Sequence, residues 1–310
     1  MAKFQFEPHP SVPFRDTKAL AQCRAIDRDK LAAHKNKRFH IRIAPDADVE
    51  FIWVTEIFQR IVRAANEGRP LVLILPNPCP SYRHVARMIN ALDVDCQRLR
   101  LFAMDEYANE RGEVAPITWR ASFGYALLHD LVYEIDERLR PPLKQVTTFT
   151  TRNVQDYGKM IEDAGHADAV YTGPGWTGHL AFVEPDAPEF DLPLKEWMKA
   201  GPRIATLSPY TLAQNSLHGA FGKSGDIAAV PPKAATIGPR EVVNAKYRMD
   251  VHSITVHGTT TSWQRMVTRL CLHGPVTPRV PGSIHQLLET DVIVSETAAM
   301  NVEPDWEKGY

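Results

Sequence analysis

A doubly wound α/β fold on a mostly parallel open sheet is the architecture this sequence predicts. Leu71-Val72-Leu73-Ile74-Leu75 is a continuous apolar run, the kind of strand that parallel sheets bury on both faces. From Phe39 onward, strand-like and helix-like segments alternate, as they do in successive βαβ units.

In chain order, residues 1–38 read as an N-terminal extension. Phe4, Phe6, Pro8, Pro10 and Pro13 suggest an extended arm, and the basic stretch from Arg24 to Arg38 a solvated helix. Residues 39–310 read as one α/β domain, with no internal repeat. Val54, Phe58, Ile61 and Val62 place an apolar stripe on a helix. After the 71–75 strand, Ser81 is positioned to cap a helix carrying Val85, Met88, Ile89 and Leu92. Leu99, Leu101 and Ala103 alternate into Asp105, at the end of the next strand. Further strands are predicted near 168–172, 252–256 and 291–295. Trp263, Met266, Val267 and Leu270 mark a long helix between the last two.

Bulk composition narrows the function classes. The chain has 310 residues, 44% hydrophobic and 24% charged, ordinary for a globular protein with a substantial core. Its formal net charge of -1 supplies no global basic field for nucleic acid or an anionic membrane. Cys23, Cys79, Cys96 and Cys271 lie far apart without a Cys-x-x-Cys pair. That argues against a structural zinc site or disulfide framework and fits a reducing cytosol. Met1 to Pro13 lacks an apolar leader core, and no apolar run approaches the roughly 18 residues of a membrane span. A soluble, cytoplasmic protein with a small-molecule partner is the expectation.

The chemistry concentrates in Gly173-Pro174-Gly175-Trp176-Thr177-Gly178-His179-Leu180-Ala181-Phe182-Val183-Glu184-Pro185, directly after the strand-like run Ala169 to Thr172. Open α/β sheets place ligands beyond the carboxyl ends of their strands. Asp105, His179 and Glu184 each fall there. One carboxylate to move a proton between adjacent carbons and an imidazole at the ring or carbonyl oxygen suit aldose–ketose isomerisation, with a second carboxylate orienting the imidazole. With 12 histidines and 37 acidic residues, spacing alone favours a helix-capping aspartate and a satisfied loop histidine.

Met104-Asp105-Glu106-Tyr107 and Gly178-His179-Leu180-Ala181-Phe182-Val183-Glu184-Pro185 together resemble two motifs of the glucosamine-6-phosphate deaminase/isomerase family. The similarity runs on through Arg203 to Leu207, Asn215-Ser216, Ala235 to Gly238, Asn244-Ala245 and Asp291 to Val294, covering roughly residues 39 to 300. It implies a Rossmann-like fold, Asp105 as the proton-transfer residue, His179 and Glu184 as its catalytic partners, and no cofactor or metal. It also implies contacts to a carbohydrate from Asn77, Cys79, Ser81, Glu106, Gly173, Gly175, Trp176, Thr177 and Thr261. A homo-oligomer is expected, with the 1–38 arm lying across its own domain or a neighbour.

The departures bear on the substrate. The family's Thr-Gly-Ser-Thr phosphate loop is replaced by Asn77-Pro78-Cys79-Pro80, and proline carries no amide hydrogen for a phosphate cradle. Leu217 and Thr261 stand where the family places its phosphate arginine and lysine. A substrate without a 6-phosphate follows, unless Arg83 or Arg240 supplies a replacement cation. Thr177 occupies the position of an aspartate that helps orient the imidazole, and Ala205 that of an effector-site lysine near Arg203. Trp176 suits either stacking on a sugar or shielding the pocket. Arg83 and His84 read as a solvated first turn. His252 and His257 flank a strand but lack a His-Glu-x-x-His pattern. Two alternatives stay open: a sugar lactone hydrolase, distinguished by an acid product, and a sugar-binding regulator without turnover.

Overall fold

The computed structural model describes residues 4, 6–253, 264–304 and 306. Seven parallel strands form the central sheet: β1 (Phe39–Ala44), β2 (Leu71–Leu75), β3 (Leu99–Ala103), β5 (Val146–Thr147), β6 (Ala169–Thr172), β9 (Arg248–His252) and β10 (Thr290–Ser295). Their spatial order is β1-β10-β9-β6-β2-β3-β5. Chain direction across the sheet reverses at β2, so the loops after β2 and β6 diverge over a crevice at the β2–β6 boundary. Such a switch point is where open α/β sheets bind ligands.

Every residue of β2 is buried, and its alternate side chains feed two separate cores. Leu71, Leu73 and Leu75 pack with Ile57, Ile61, Val85 and Ile89 on one face; Val72 and Ile74 pack with Tyr157, Ile161 and Trp197 on the other. The helix Asp46–Asn66 buries Val49, Val54, Ile57, Phe58, Ile61 and Ala64, the three- and four-residue spacing of one helical face.

A second sheet was not legible in the sequence. β4 (Asp105–Ala108), β8 (Lys233–Thr236) and β7 (Arg203–Thr206) form an antiparallel unit in that spatial order. Asp105 therefore opens a strand rather than closing one. Met104 is the corner, its amide donating to the Leu75 carbonyl at 3.0 Å.

Other elements shift from expectation. The predicted 252–256 strand is Arg248–His252, and residues 254–256 lie outside the described residues. Arg248 and Asp250 disguise that strand as polar. The Arg248 guanidinium donates to the carbonyls of Val242, Val243, Ala245 and Glu289, while Asp250 pairs with His252 at 2.9 Å. Within Arg24 to Arg38 the only helical turn is Arg28–Leu31, because Leu31 is drawn under Phe39, Leu272 and Val292. A further helix, Thr17–Arg24, packs on Gln264–His273. Ser81 takes helical angles itself (φ -63°, ψ -17°) and makes no side-chain cap; Leu92 falls past that helix's end and is exposed. No helix among the described residues is long and apolar enough to cross a membrane.

Candidate active site

Asp105 stands at the corner between the two sheets, 6% exposed, and its Oδ1 has no hydrogen-bond partner among the described residues. Burial, then the neighbouring Glu106 charge, pushes its carboxyl well above the usual aspartate range. A buried acceptor left unmatched inside a protein is uncommon and calls for an explanation.

Glu106 is committed to the fold. Its carboxylate accepts from the amides of Tyr107 (2.9 Å), Phe123 (3.1 Å) and Gly124 (2.8 Å) and from the Ser122 hydroxyl (2.6 Å). The expected sugar contact from Glu106 is therefore corrected: both oxygens fasten the start of the Phe123–Leu127 helix. Burial raises its carboxyl, against those four hydrogen bonds. Glu106→Ala should destabilise the chain by about 1–3 kcal/mol, the usual cost of stranding buried donors. A denaturant titration would register this as a lower midpoint.

The opposite wall is the Gly173–Pro185 segment. Gly178 adopts φ +74°, a left-handed conformation that glycine accepts without strain. The turn brings His179 Nδ1 to 3.4 Å from Glu184 Oε1 and 3.3 Å from Thr211 Oγ1. Thr177 Oγ1 donates to the other Glu184 oxygen at 2.8 Å. His179 is 7% and Glu184 1% exposed. Thr177 thus supports the carboxylate that faces the imidazole instead of facing the imidazole itself. A Cβ on Gly175 would lie 2.5 Å from His179 Cε1 and Nε2, and one on Gly173 2.7 Å from the Val251 carbonyl oxygen. Both glycines are required by close packing. Trp176 is half exposed, its amide donating to Gln214 Oε1 at 2.8 Å and its ring 6.5 Å from Tyr210.

The two walls meet through β8. Thr236 is the cross-strand partner of Asp105, and its hydroxyl accepts from the Phe182 amide at 3.0 Å. The helix Pro209–Asn215 closes the back. Thr211 approaches His179, Gln214 holds Trp176, and Asn215 Nδ2 donates to the Tyr107 hydroxyl at 3.0 Å. Thr211 and Gln214 were missed by sequence reasoning. Their signal was three polar residues at positions 211, 214 and 215, one helical face that is wholly buried.

The loop after β2 is held by its own contacts. Asn77 Nδ2 donates to the Leu75 carbonyl at 3.1 Å and the Tyr82 hydroxyl to that of Pro76 at 2.8 Å. The amides of Tyr82, Arg83 and His84 are taken by the carbonyls of Cys79, Pro80 and Ser81. Burial pushes the Cys79 thiol up to about 12, with the Ser81 amide and hydroxyl turned toward it. Arg83 is not simply solvated: it pairs with the buried Asp130 carboxylate at 2.7 Å. Arg240 is held at 2.8 Å by Glu241, beside Gly158 and Gly201. His252 is fully buried among Asp250 and Thr268. Thr261 and His257 lie outside the described residues. The N-terminal arm runs over its own domain, where Ser11 Oγ and the Tyr210 hydroxyl are 2.9 Å apart and Phe14 packs against Val267, Cys271 and Val280.

Known proteins resemble this chain in sequence and in fold. The chain is 28% identical over 262 residues to a glucosamine-6-phosphate deaminase of Porphyromonas gingivalis, covering 83% of this chain and 91% of that protein. It is 27% identical over 197 residues to the Caenorhabditis elegans protein of the same name, spanning 61% of this chain and 66% of the nematode protein. Its fold matches that of a monomeric glucosamine-6-phosphate deaminase with a TM-score of 0.67 at 17% identity, over 84% of this chain and 98% of that one. The fold of the 6-phosphogluconolactonase from Trypanosoma brucei matches with a TM-score of 0.60 at 16% identity, over 85% and 98% of the two chains. No family model matches the chain. The named homologues and the shared fold support an enzyme of the superfamily that contains the glucosamine-6-phosphate deaminases.

Proposed function

We propose that this chain catalyses aldose–ketose isomerisation or amino-sugar deamination on a sugar that carries no 6-phosphate. The observation that carries the reading is the hydrogen-bonded series Thr177–Glu184–His179, joined to the strand of Asp105 through Thr236.

In the proposed cycle Asp105 takes a proton from one of two adjacent sugar carbons and returns it to the other. Its unpartnered Oδ1 leaves the carboxyl able to do so without breaking a hydrogen bond of the fold. A carboxyl raised toward the working pH exchanges protons more evenly than an ordinary aspartate. His179 acts at the ring or carbonyl oxygen. Protonation of the imidazole creates a cation, which Glu184 stabilises from Nδ1. Thr177 keeps Glu184 in place by occupying its second oxygen.

The 6-phosphate is disfavoured by the loop after β2 and by the pairing of the two arginines that could have supplied a replacement cation. Pro78 and Pro80 contribute no amide donors, Arg83 is neutralised by Asp130 and Arg240 by Glu241. Phosphate binding relies on charge-assisted donors of the kind these residues withhold.

A panel of free, phosphorylated and acidic sugars, each with and without a 2-amino group, tests the reading. Ketose, ammonia and acid are assayed in parallel. Ketose or ammonia from a free sugar is the expected result; accumulation of acid would instead identify a lactone hydrolase. Efficient turnover of glucosamine 6-phosphate would overturn the substrate assignment, and binding without turnover on every sugar would leave a sugar sensor.

A further inference from the structure

We propose that Asp250, acting through Thr172 and His285, is the positioning residue that holds the turn carrying His179 against the end of the sheet. The inference rests on His179 acting as described above and adds the buried groups that fix where it stands.

Four polar side chains are buried together beneath that turn: Thr172 at the end of β6, Asp250 and His252 on β9, and His285 on the short helix Pro281–Leu287. Strand register sets Thr172 beside Asp250. The Thr172 hydroxyl donates to Asp250 Oδ1 at 2.7 Å, and His252 Nε2 donates to Oδ2 at 2.9 Å. With its hydrogen committed to Asp250, the Thr172 oxygen accepts from His285 Nε2 at 3.0 Å. The far nitrogens of the two rings then accept from threonines: Thr268 meets His252 Nδ1 at 3.1 Å and Thr290 meets His285 Nδ1 at 3.4 Å. Burial pushes the His285 imidazole below the usual histidine range, in keeping with a neutral ring of that one tautomer. Every hydrogen bond of the cluster thus runs in one direction, toward a single carboxylate.

The cluster reaches the turn at both ends. Gly173 follows Thr172 directly and lies against β9, where a Cβ would come 2.7 Å from the Val251 carbonyl oxygen. The helix that carries His285 also supplies the Gly282 amide, which donates at 2.8 Å to the carbonyl of Gly178, the residue before His179. Between those ends, Gln264 Nε2 donates to the Pro174 carbonyl at 3.2 Å, from the same helix as Thr268. Stability alone does not call for such a device, since well-packed apolar residues often replace buried charged groups without loss. A fully matched polar network adds direction, because each donor has one acceptor to meet. That direction bears on the turn that presents His179 to Glu184 and Thr211.

Three variants of the full chain test this. Thr172→Val removes the hydroxyl at nearly constant shape, Thr172→Ser restores it, and Asp250→Asn puts a donor where the cluster needs acceptors. The His179 imidazole is followed by nitrogen NMR of labelled histidine with no sugar present, its signals assigned from His179→Gln. Thr172→Val and Asp250→Asn should both displace those signals, and Thr172→Ser should return them to their wild-type positions. On a sugar that the panel shows to be turned over, Thr172→Val should lower kcat by about tenfold with little change in KM, because a slight misplacement of a reacting group falls on turnover. Thr172→Ser should recover that loss. Wild-type His179 signals or wild-type kcat in Thr172→Val would overturn the inference, whether or not Asp250→Asn folds. So would a loss that Thr172→Ser fails to recover. Displaced and rescued signals without turnover of any sugar would instead sink the underlying reading and leave the positioning in place.

Discussion

Asp105→Asn is expected to lower turnover by about a hundredfold or more on whichever sugar the panel identifies, the usual scale for removing a proton-transfer group. Asparagine keeps the size and one carbonyl acceptor but can neither take nor return the proton. The same substitution should raise thermal stability at neutral pH, because the wild-type carboxylate is buried with an unpartnered oxygen beside Glu106. The sign follows from linkage. A carboxyl whose folded value is raised contributes fully while protonated, and its contribution falls as pH climbs from the ordinary aspartate range through the raised value. Wild type and Asp105→Asn should therefore melt alike in acid, and the variant should pull ahead as pH rises. Activity runs the opposite way: wild-type kcat should increase with pH as Asp105 ionises, on a limb displaced above the normal aspartate range. Full activity in Asp105→Asn, or melting curves whose separation ignores pH, would remove Asp105 from this role.

Gly175→Ala should cost a comparable factor by another route. The added methyl would sit 2.5 Å from His179 Cε1 and Nε2 and 2.8 Å from Gln214 Oε1, so the imidazole and the amide must both yield. Displacing a catalytic group by about 1 Å can reduce turnover by roughly a hundredfold. Gly175 is not a strained backbone position, since it is not among the glycines with positive φ. The loss should therefore come with a near-native circular dichroism spectrum. Wild-type kcat in Gly175→Ala would mean that His179 does not work from the position described.

Much of the fold and part of the site were readable in the linear chain. The 71–75 strand announced itself because a strand buried on both faces has no polar alternate residues. That His179 and Glu184 lie side by side was readable because one short turn holds both, so their encounter depends on few backbone angles. Glu106 was misassigned because its partners, Ser122 to Gly124, lie sixteen to eighteen residues away. Nothing adjacent to it in the chain says that its oxygens are consumed. Arg248 and Asp250 hid a central strand, since the Glu289 carbonyl that meets Arg248 and the Thr172 hydroxyl that meets Asp250 belong to other segments.

By itself, then, the sequence determined the mostly parallel sheet and the loop beyond its strand ends that carries His179 and Glu184, both set by periodicity and a short-range turn. Only the tertiary structure decided that Asp105 begins an antiparallel strand, that Thr211 backs the imidazole, and that Arg83 is spent on Asp130. Those outcomes depend on which distant groups share a buried, low-dielectric space. There each polar atom must find a partner or remain unmatched, and sequence proximity does not encode that pairing.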